Sequence, residues 1–203
     1  MNEKGMLLII SGPSGSGKGT IAKKLDPEKG YAISISFTSR SKRAYEVDGK
    51  EYFFCTPERF IEMRDNGEFL EHAIFCDNYY GTPKSYVDSK INEGKVVVLE
   101  IDVIGALQVK EKFDDAVLLF LMPPTINELE RRLTNRNTET PESLKARMKR
   151  AIEEIKLIDK YEYIVINDEV STALKRIDCI VQAELLKPHR NKMIIKNFRG
   201  DEY

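Results

Sequence analysis

Gly12-Pro13-Ser14-Gly15-Ser16-Gly17-Lys18-Gly19-Thr20 follows directly on the apolar run at residues 6–10 and leads into a helical pattern that starts at Ile21. A strand, a glycine-rich turn and a helix in this order form the context that a phosphate-binding loop requires. Glycines let successive backbone N–H groups turn inward around an anion, the helix start adds positive potential, and Lys18 supplies a point charge for the β and γ oxygens of a nucleotide. All nine residues from Gly12 to Thr20 are therefore candidate contacts to a di- or triphosphate. Gly19 stands where the strict motif has Ser or Thr as a magnesium ligand, and the hydroxyl comes one place later at Thr20. The direct metal ligand is left unassigned.

Working outward, three more apolar runs at residues 96–101, 117–122 and 163–166 are nearly continuous, as expected for strands buried on both faces. Residues 31–36 alternate apolar and polar and supply a fifth strand. Helical spacing lies between these runs, at 21–25, at 126, 129 and 133, and at 144–158. The expected class is α/β, with a central parallel five-stranded sheet flanked by helices. Residues 37–92 change character, becoming polar, aromatic and turn-rich, and read as an inserted lobe. Inside it, Asp48-Gly49 between 46–47 and 51–54 reads as a hairpin turn. Residues 127–150 form a second, Arg-rich insert, so one domain is expected, with a core of 1–36, 93–126 and 151–186. The extension 187–203 reads as a short strand or a loose tail.

At 203 residues, 41% apolar and 32% charged with a net charge of -1, the chain has an ordinary globular balance. That balance excludes a protein that coats nucleic acid by bulk charge, so an anionic ligand must be met by local Arg and Lys clusters. The polar residues 1–4 lead into too short an apolar run for a signal-peptide core or a membrane span, and the cytoplasm is the expected compartment. Cys55, Cys76 and Cys179 lack CxxC spacing and suggest neither a disulfide framework nor a zinc site. His72 and His189, far apart in sequence, offer little for metal or triad chemistry.

The loop alone says only nucleotide binder. In the middle lobe, Arg40 and Arg43 stand three residues apart beside hydroxyls and Tyr52, a set suited to one phosphate monoester because the Arg fork matches phosphate oxygens. Further on come Gly67-Glu68-Phe69-Leu70-Glu71-His72-Ala73 and Asn78-Tyr79-Tyr80-Gly81-Thr82. These separated motifs, in this order from the loop to about Ile166, resemble the guanylate kinase family. The resemblance implies phosphoryl transfer from ATP to GMP, with dGMP as a further acceptor, and Mg2+ accompanying ATP. It implies that Arg40, Arg43, Tyr52 and Tyr80 hold the GMP phosphate, that Glu71, Ser36 and Thr82 read the guanine, and that Asp102 lies near the ribose or the magnesium waters.

Base chemistry independently suits that assignment. Guanine presents N1–H beside its exocyclic amine, so one carboxylate at Glu71 can accept both, whereas adenine has an acceptor at N1 and no amine at C2. The segment around Asn135-Arg136-Asn137-Thr138-Glu139-Thr140 resembles the family's lid. Lys18, Arg43, Arg132, Arg136 and Arg147 would then surround the transferring phosphoryl group, and Asn167, after the last strand, would contact the ATP base. Two rival readings stay open: a protein-interaction module built on the same fold, and a kinase acting on a ribosyl phosphate. Lys187 to Lys192 is the only basic cluster that could suggest nucleic acid, and it reads better as a solvated tail.

Overall fold

The computed structural model describes residues 4–75, 77–134 and 141–199. In chain order it contains β1 (Met6–Ser11), α1 (Lys18–Ala22), β2 (Tyr31–Ile33), β3 (Phe37–Thr38), β4 (Phe53–Phe54), α2 (Pro57–Asp65), β5 (Phe69–Phe75), β6 (Asn78–Pro83) and α3 (Lys84–Asn92). There follow β7 (Val96–Glu100), α4 (Val103–Lys112), β8 (Val117–Met122), α5 (Ile126–Thr134), α6 (Pro141–Ile155), β9 (Tyr163–Ile166), α7 (Val170–Leu185) and α8 (Lys192–Arg199).

Every residue of β1 is buried, which is possible only if both faces are covered. Met6, Leu8 and Ile10 point to one side, packing with Ile21 of α1 and with Ala173, Ile177 and Val181 of α7. Leu7 and Ile9 point to the other, against Val87 and Ile91 of α3 and Ala106 and Val109 of α4. Fully burying such a side chain stabilises the fold by roughly 1.5–3 kcal/mol, so the central strand anchors two cores at once. The sheet is parallel, in the order β2-β7-β1-β8-β9, with Ile9 beside Leu99 and Leu118. This is the α/β architecture expected from the runs. Ligands of such sheets sit beyond the C-terminal strand ends, where the chain leaves β1, β7, β8 and β9.

A second sheet, β4-β3-β6-β5, is built from the middle of the chain. Phe60 of α2, whose N-terminus is capped by the Thr56 hydroxyl, stacks on Phe69 at 4.5 Å and on Tyr79 at 5.3 Å between ring centroids. Its hydrophobic cluster is separate from the two that flank β1.

Two local expectations give way. Asp48-Gly49 makes a turn, with the Gly49 N–H on the Tyr52 carbonyl at 2.8 Å, but no two-stranded hairpin forms around it. The amides that a partner strand would have taken are captured by side chains: Glu51 accepts from Val47 N–H and Asp48 from Phe54 N–H, both at 2.8 Å. β4 is thereby free to pair in parallel with β3. In the C-terminal extension, the described residues 192–199 form the helix α8 rather than a strand or a loose tail, and its apolar Met193, Ile194, Ile195 and Phe198 recur at helical spacing. Ahead of it, Arg190 is nearly buried and pairs with Asp115 at 2.6 Å. Among the described residues, no helix is long and apolar enough to cross a membrane.

Candidate functional site

Gly12, Gly15 and Gly17 in the loop after β1 have φ of 140°, 89° and 94°, a region that side-chain-bearing residues rarely adopt. At Gly17 the approach is also close, since a Cβ there would lie 2.3 Å from Asn167 Nδ2. Asn167, at the end of β9, is buried, and its amide donates to the Ser16 carbonyl at 2.8 Å. It therefore braces the loop from beneath. The Lys18 ammonium donates to the Gly12 carbonyl at 2.7 Å and to that of Pro13 at 3.2 Å, which holds its charge over the loop. Pro13, Ser14, Ser16, Gly19 and Thr20 complete the turn and the start of α1, with Thr20 exposed.

Arg132 of α5 is fixed on the same side. Its Nε donates to Glu128 Oε1 at 2.7 Å and its Nη2 to the Asn167 carbonyl at 2.9 Å. Hydrogen bonds from Arg131 and Arg132 lower the Glu128 carboxyl to about 2, so this acid stays ionised and keeps Arg132 oriented. Arg147 lies half-buried on α6, and Arg136 falls outside the described residues.

The end of β7 links the two halves of the site. Glu100 turns toward the loop, with its oxygens 3.3 and 3.4 Å from where a Cβ on Gly19 would be. Two residues later Asp102 caps α4, accepting the Gly105 N–H at 2.8 Å. A Cβ on Gly105 would meet Asp102 Oδ1 and Glu71 Oε2, each at 3.3 Å, so the absence of a side chain there lets the two carboxylates approach. Glu71 projects from β5 beside Thr82 of β6, whose hydroxyl donates to Glu71 Oε1 at 2.6 Å. Both side chains are buried. Burial, chiefly, raises the Glu71 carboxyl to about 6, and the Asp102 charge adds to the rise while the Thr82 hydrogen bond opposes it.

On the other wall, Arg40 lies over the rings of Tyr52 and Phe54 at 5.6 and 5.8 Å. Its Nη2 pairs with Glu46 at 2.7 Å, and Glu46 also accepts the Arg43 N–H at 2.8 Å. The Arg40 hydrogen bond holds the Glu46 carboxyl below its usual range. Tyr52 and Tyr80 meet edge to face at 5.8 Å. Burial, reinforced by the Glu100 charge, pushes the Tyr52 phenol up. The Arg43 side chain is exposed and donates to the Tyr45 hydroxyl at 2.9 Å, while the Ser36 carbonyl accepts from Phe53 N–H beside β3. The arrangement is a cationic, aromatic wall and a buried carboxylate–hydroxyl pair, joined through residues 100–102 to a phosphate loop.

The guanylate kinase family model matches residues 4–184. The chain belongs to the guanylate kinase family. It is 48% identical to the guanylate kinase of Clostridium perfringens over 99% of this chain and 94% of that protein. The identity is also 48% to the guanylate kinase of Caldanaerobacter subterraneus subsp. tengcongensis, over 99% of this chain and 98% of that one. Among solved structures, the guanylate kinase of Anaplasma phagocytophilum superposes with a TM-score of 0.79 at 30% identity, covering 100% of this chain and 99% of that one. The fold also resembles TT1252 from Thermus thermophilus, with a TM-score of 0.53 at 17% identity over 91% of this chain and 100% of that one.

In this guanylate kinase family chain, three site-lining acids have a role that the sequence reading did not assign. Glu46 tethers Arg40, Glu128 tethers Arg132, and Glu100 faces the loop. Glu128 carried a legible signal, an acid one helical turn before Arg132. Glu100 had a weaker one, as a charge ending a buried strand at the edge where α/β ligands sit.

Proposed function

We propose that the protein transfers the γ-phosphoryl group of ATP to GMP, and likewise to dGMP, releasing ADP and GDP in the cytoplasm, where both nucleotides are found. The observation that carries this reading is the buried Glu71–Thr82 pair, reached from the phosphate loop through Glu100 and Asp102. An ionised Glu71 accepts the two adjacent N–H groups of guanine, and a carboxylate buried this deeply is costly unless donors beyond the Thr82 hydroxyl meet it. An interaction module would not need the Asn167 brace under the loop, and a ribosyl phosphate kinase would have no use for a base-reading carboxylate.

In this mechanism the backbone of Gly12–Thr20 and the Lys18 ammonium hold the β and γ phosphates. Arg40, Arg43, Tyr52 and Tyr80 hold the acceptor phosphate, Ser36 and Asp102 line its nucleoside, and Asn167 keeps the loop in shape beside the ATP site. A GMP phosphate oxygen attacks the γ-phosphorus in line as the bond to the ADP oxygen breaks. The acceptor phosphate is largely dianionic at neutral pH, so no general base is required. Lys18, Arg43, Arg132, Arg136 and Arg147 stabilise the charge spread over the transferring oxygens.

Mg2+ prefers hard oxygen ligands and is usually held by one or two carboxylates plus substrate phosphates. The residues present fit that pattern: the Glu100 carboxylate stands at Gly19, where the strict motif would place a hydroxyl. Glu100 would hold the ion, and the ion would supply positive charge to offset that of the nucleotide phosphates. The test is ADP release from MgATP with GMP, AMP or a ribosyl bisphosphate as acceptor. Stimulation by GMP alone is expected, and turnover indifferent to GMP overturns the reading.

A further inference from the structure

On α6, three residues beyond Arg147, the Arg150 guanidinium grips two carboxylates from different parts of the fold. Its Nε donates to Glu154 Oε1 at 2.8 Å, one turn along the same helix. Its Nη2 reaches Asp102 Oδ2 at 3.1 Å, across 48 positions of sequence. Asp102 has its other oxygen on the Gly105 N–H, and that same oxygen and Glu71 Oε2 each stand 3.3 Å from where a Cβ on Gly105 would be. Two acids thus crowd one side of the acceptor pocket, and Arg150 meets the outer one from the helix that also carries Arg147.

The groups facing this pair come from each packed element. Thr82 of β6 donates to Glu71, and Lys112 at the end of α4 favours the charged form of Glu71. The Tyr161 phenol, ahead of β9, lies within electrostatic reach of Asp102 and Glu154. From α6 come Arg150 and Glu154 themselves.

We propose that Arg150 is a positioning residue for the acceptor site: it draws Asp102 toward α6 and offsets its charge, so that Glu71 remains an ionised acceptor for the guanine edge, and it ties the lid helix to that pocket. The inference rests on the guanylate kinase reading above. Without the guanidinium, the Asp102 charge acts on Glu71 with less compensation, and Glu71 takes up a proton more readily. A protonated Glu71 presents a donor to the N–H groups it should accept. Lysine keeps the charge but lacks the planar fork that serves two carboxylates together, so it restores the function only in part.

The experiment compares the full-length wild type with Arg150→Ala, Arg150→Lys and Glu154→Gln. GMP binding is measured by calorimetry without ATP, and kcat and KM for each substrate are followed across pH. For Arg150→Ala, the Kd and KM for GMP should rise about fivefold, the size expected of one half-exposed ion pair. The acid limb of kcat/KM for GMP should move to higher pH, with KM for ATP unchanged. Arg150→Lys should fall between, and Glu154→Gln, which removes only the contact within the helix, should keep the wild-type GMP profile. An active wild type whose Arg150→Ala variant binds GMP with unchanged affinity and unchanged pH limb overturns the inference alone. Equal losses for ATP and GMP, shared by Arg150→Ala and Glu154→Gln, also overturn it, by reducing Arg150 to a helix-stabilising role. A wild type that neither binds GMP nor phosphorylates it overturns the acceptor assignment and this inference with it.

Discussion

Glu71→Gln should make the protein more stable and nearly inactive with GMP. Glu71 is only 4% exposed, and its carboxyl is raised from 4.5 to about 6, mainly by burial. A carboxyl whose folded value lies above its unfolded one favours the folded state through its proton. That contribution is complete below the unfolded value and is lost as pH rises through the folded value. Between 4.5 and about 6 the difference is about 1.5, and at about 1.4 kcal/mol for each pH unit the ionised side chain costs the folded protein about 2 kcal/mol at pH 7. Gln avoids that cost. Its carbonyl can still accept the Thr82 hydroxyl, and its amide can face Asp102, where two carboxylates had met.

For a chain of this length, about 2 kcal/mol corresponds to a rise in Tm of roughly 4–8 °C. Calorimetry of the nucleotide-free protein at pH 7 checks this, and the gap between variant and wild type should close below pH 4.5. The functional loss has the opposite sign. Two hydrogen bonds to a charged acceptor, at roughly 1.5–3 kcal/mol each, correspond to a fall of about 10²–10⁴-fold in kcat/KM for GMP. For the wild type the same quantity should decline as pH falls through about 6, as Glu71 takes up its proton. A Gln variant less stable than wild type at pH 7, or one that keeps its preference for GMP over AMP, refutes the reasoning.

Arg40→Lys keeps the charge but loses the flat fork that lies on Tyr52 and pairs with Glu46; KM for GMP should rise about tenfold in steady-state assays, with KM for ATP unmoved. Asn167→Ala withdraws the amide that holds the Ser16 carbonyl, so KM for ATP should rise about tenfold while denaturant melts show a loss of about 1–3 kcal/mol. Arg190→Ala removes a nearly buried cation that meets Asp115 at the opposite end of the sheet; stability should fall by about 2 kcal/mol with kcat unchanged, since the contact lies far in the fold from the phosphate loop.

What could be read in advance follows from the kind of physics involved. The loop was legible because its constraint is local: glycines at positive φ, then Lys18, with a buried strand before and a helix after. β1, β7 and β8 were legible because burial on both faces leaves a run without polar interruption, and β9 because its run is apolar throughout even though Ile164 is exposed. Asp48-Gly49 misled because its strand partners were displaced by two carboxylates that capture Val47 and Phe54 amides, a competition that pair propensities do not encode. The extension misled because its one apolar face spans only two turns.

The tethers behind the site were hidden for a different reason. Arg40, Arg132 and Arg150 are each aimed by an acid, and two of those pairs, Glu128 with Arg132 and Glu154 with Arg150, are one helical turn apart and open to a sequence reader. Neither spacing says where the remaining donors go. Arg132 reaches the Asn167 carbonyl after β9, and Arg150 reaches Asp102 after β7; these meetings exist only because the parallel sheet brings its C-terminal strand ends to one edge. An Arg fork has donors enough for a local acid and a distant acceptor together. For Arg132 the local acid cuts the rotamer freedom that would otherwise be lost on binding a phosphate, whereas for Arg150 the distant contact with Asp102 is the one that bears on the acceptor pocket. Cutting Glu128, one of the local acids, should therefore weaken ATP use without removing any group that touches ATP.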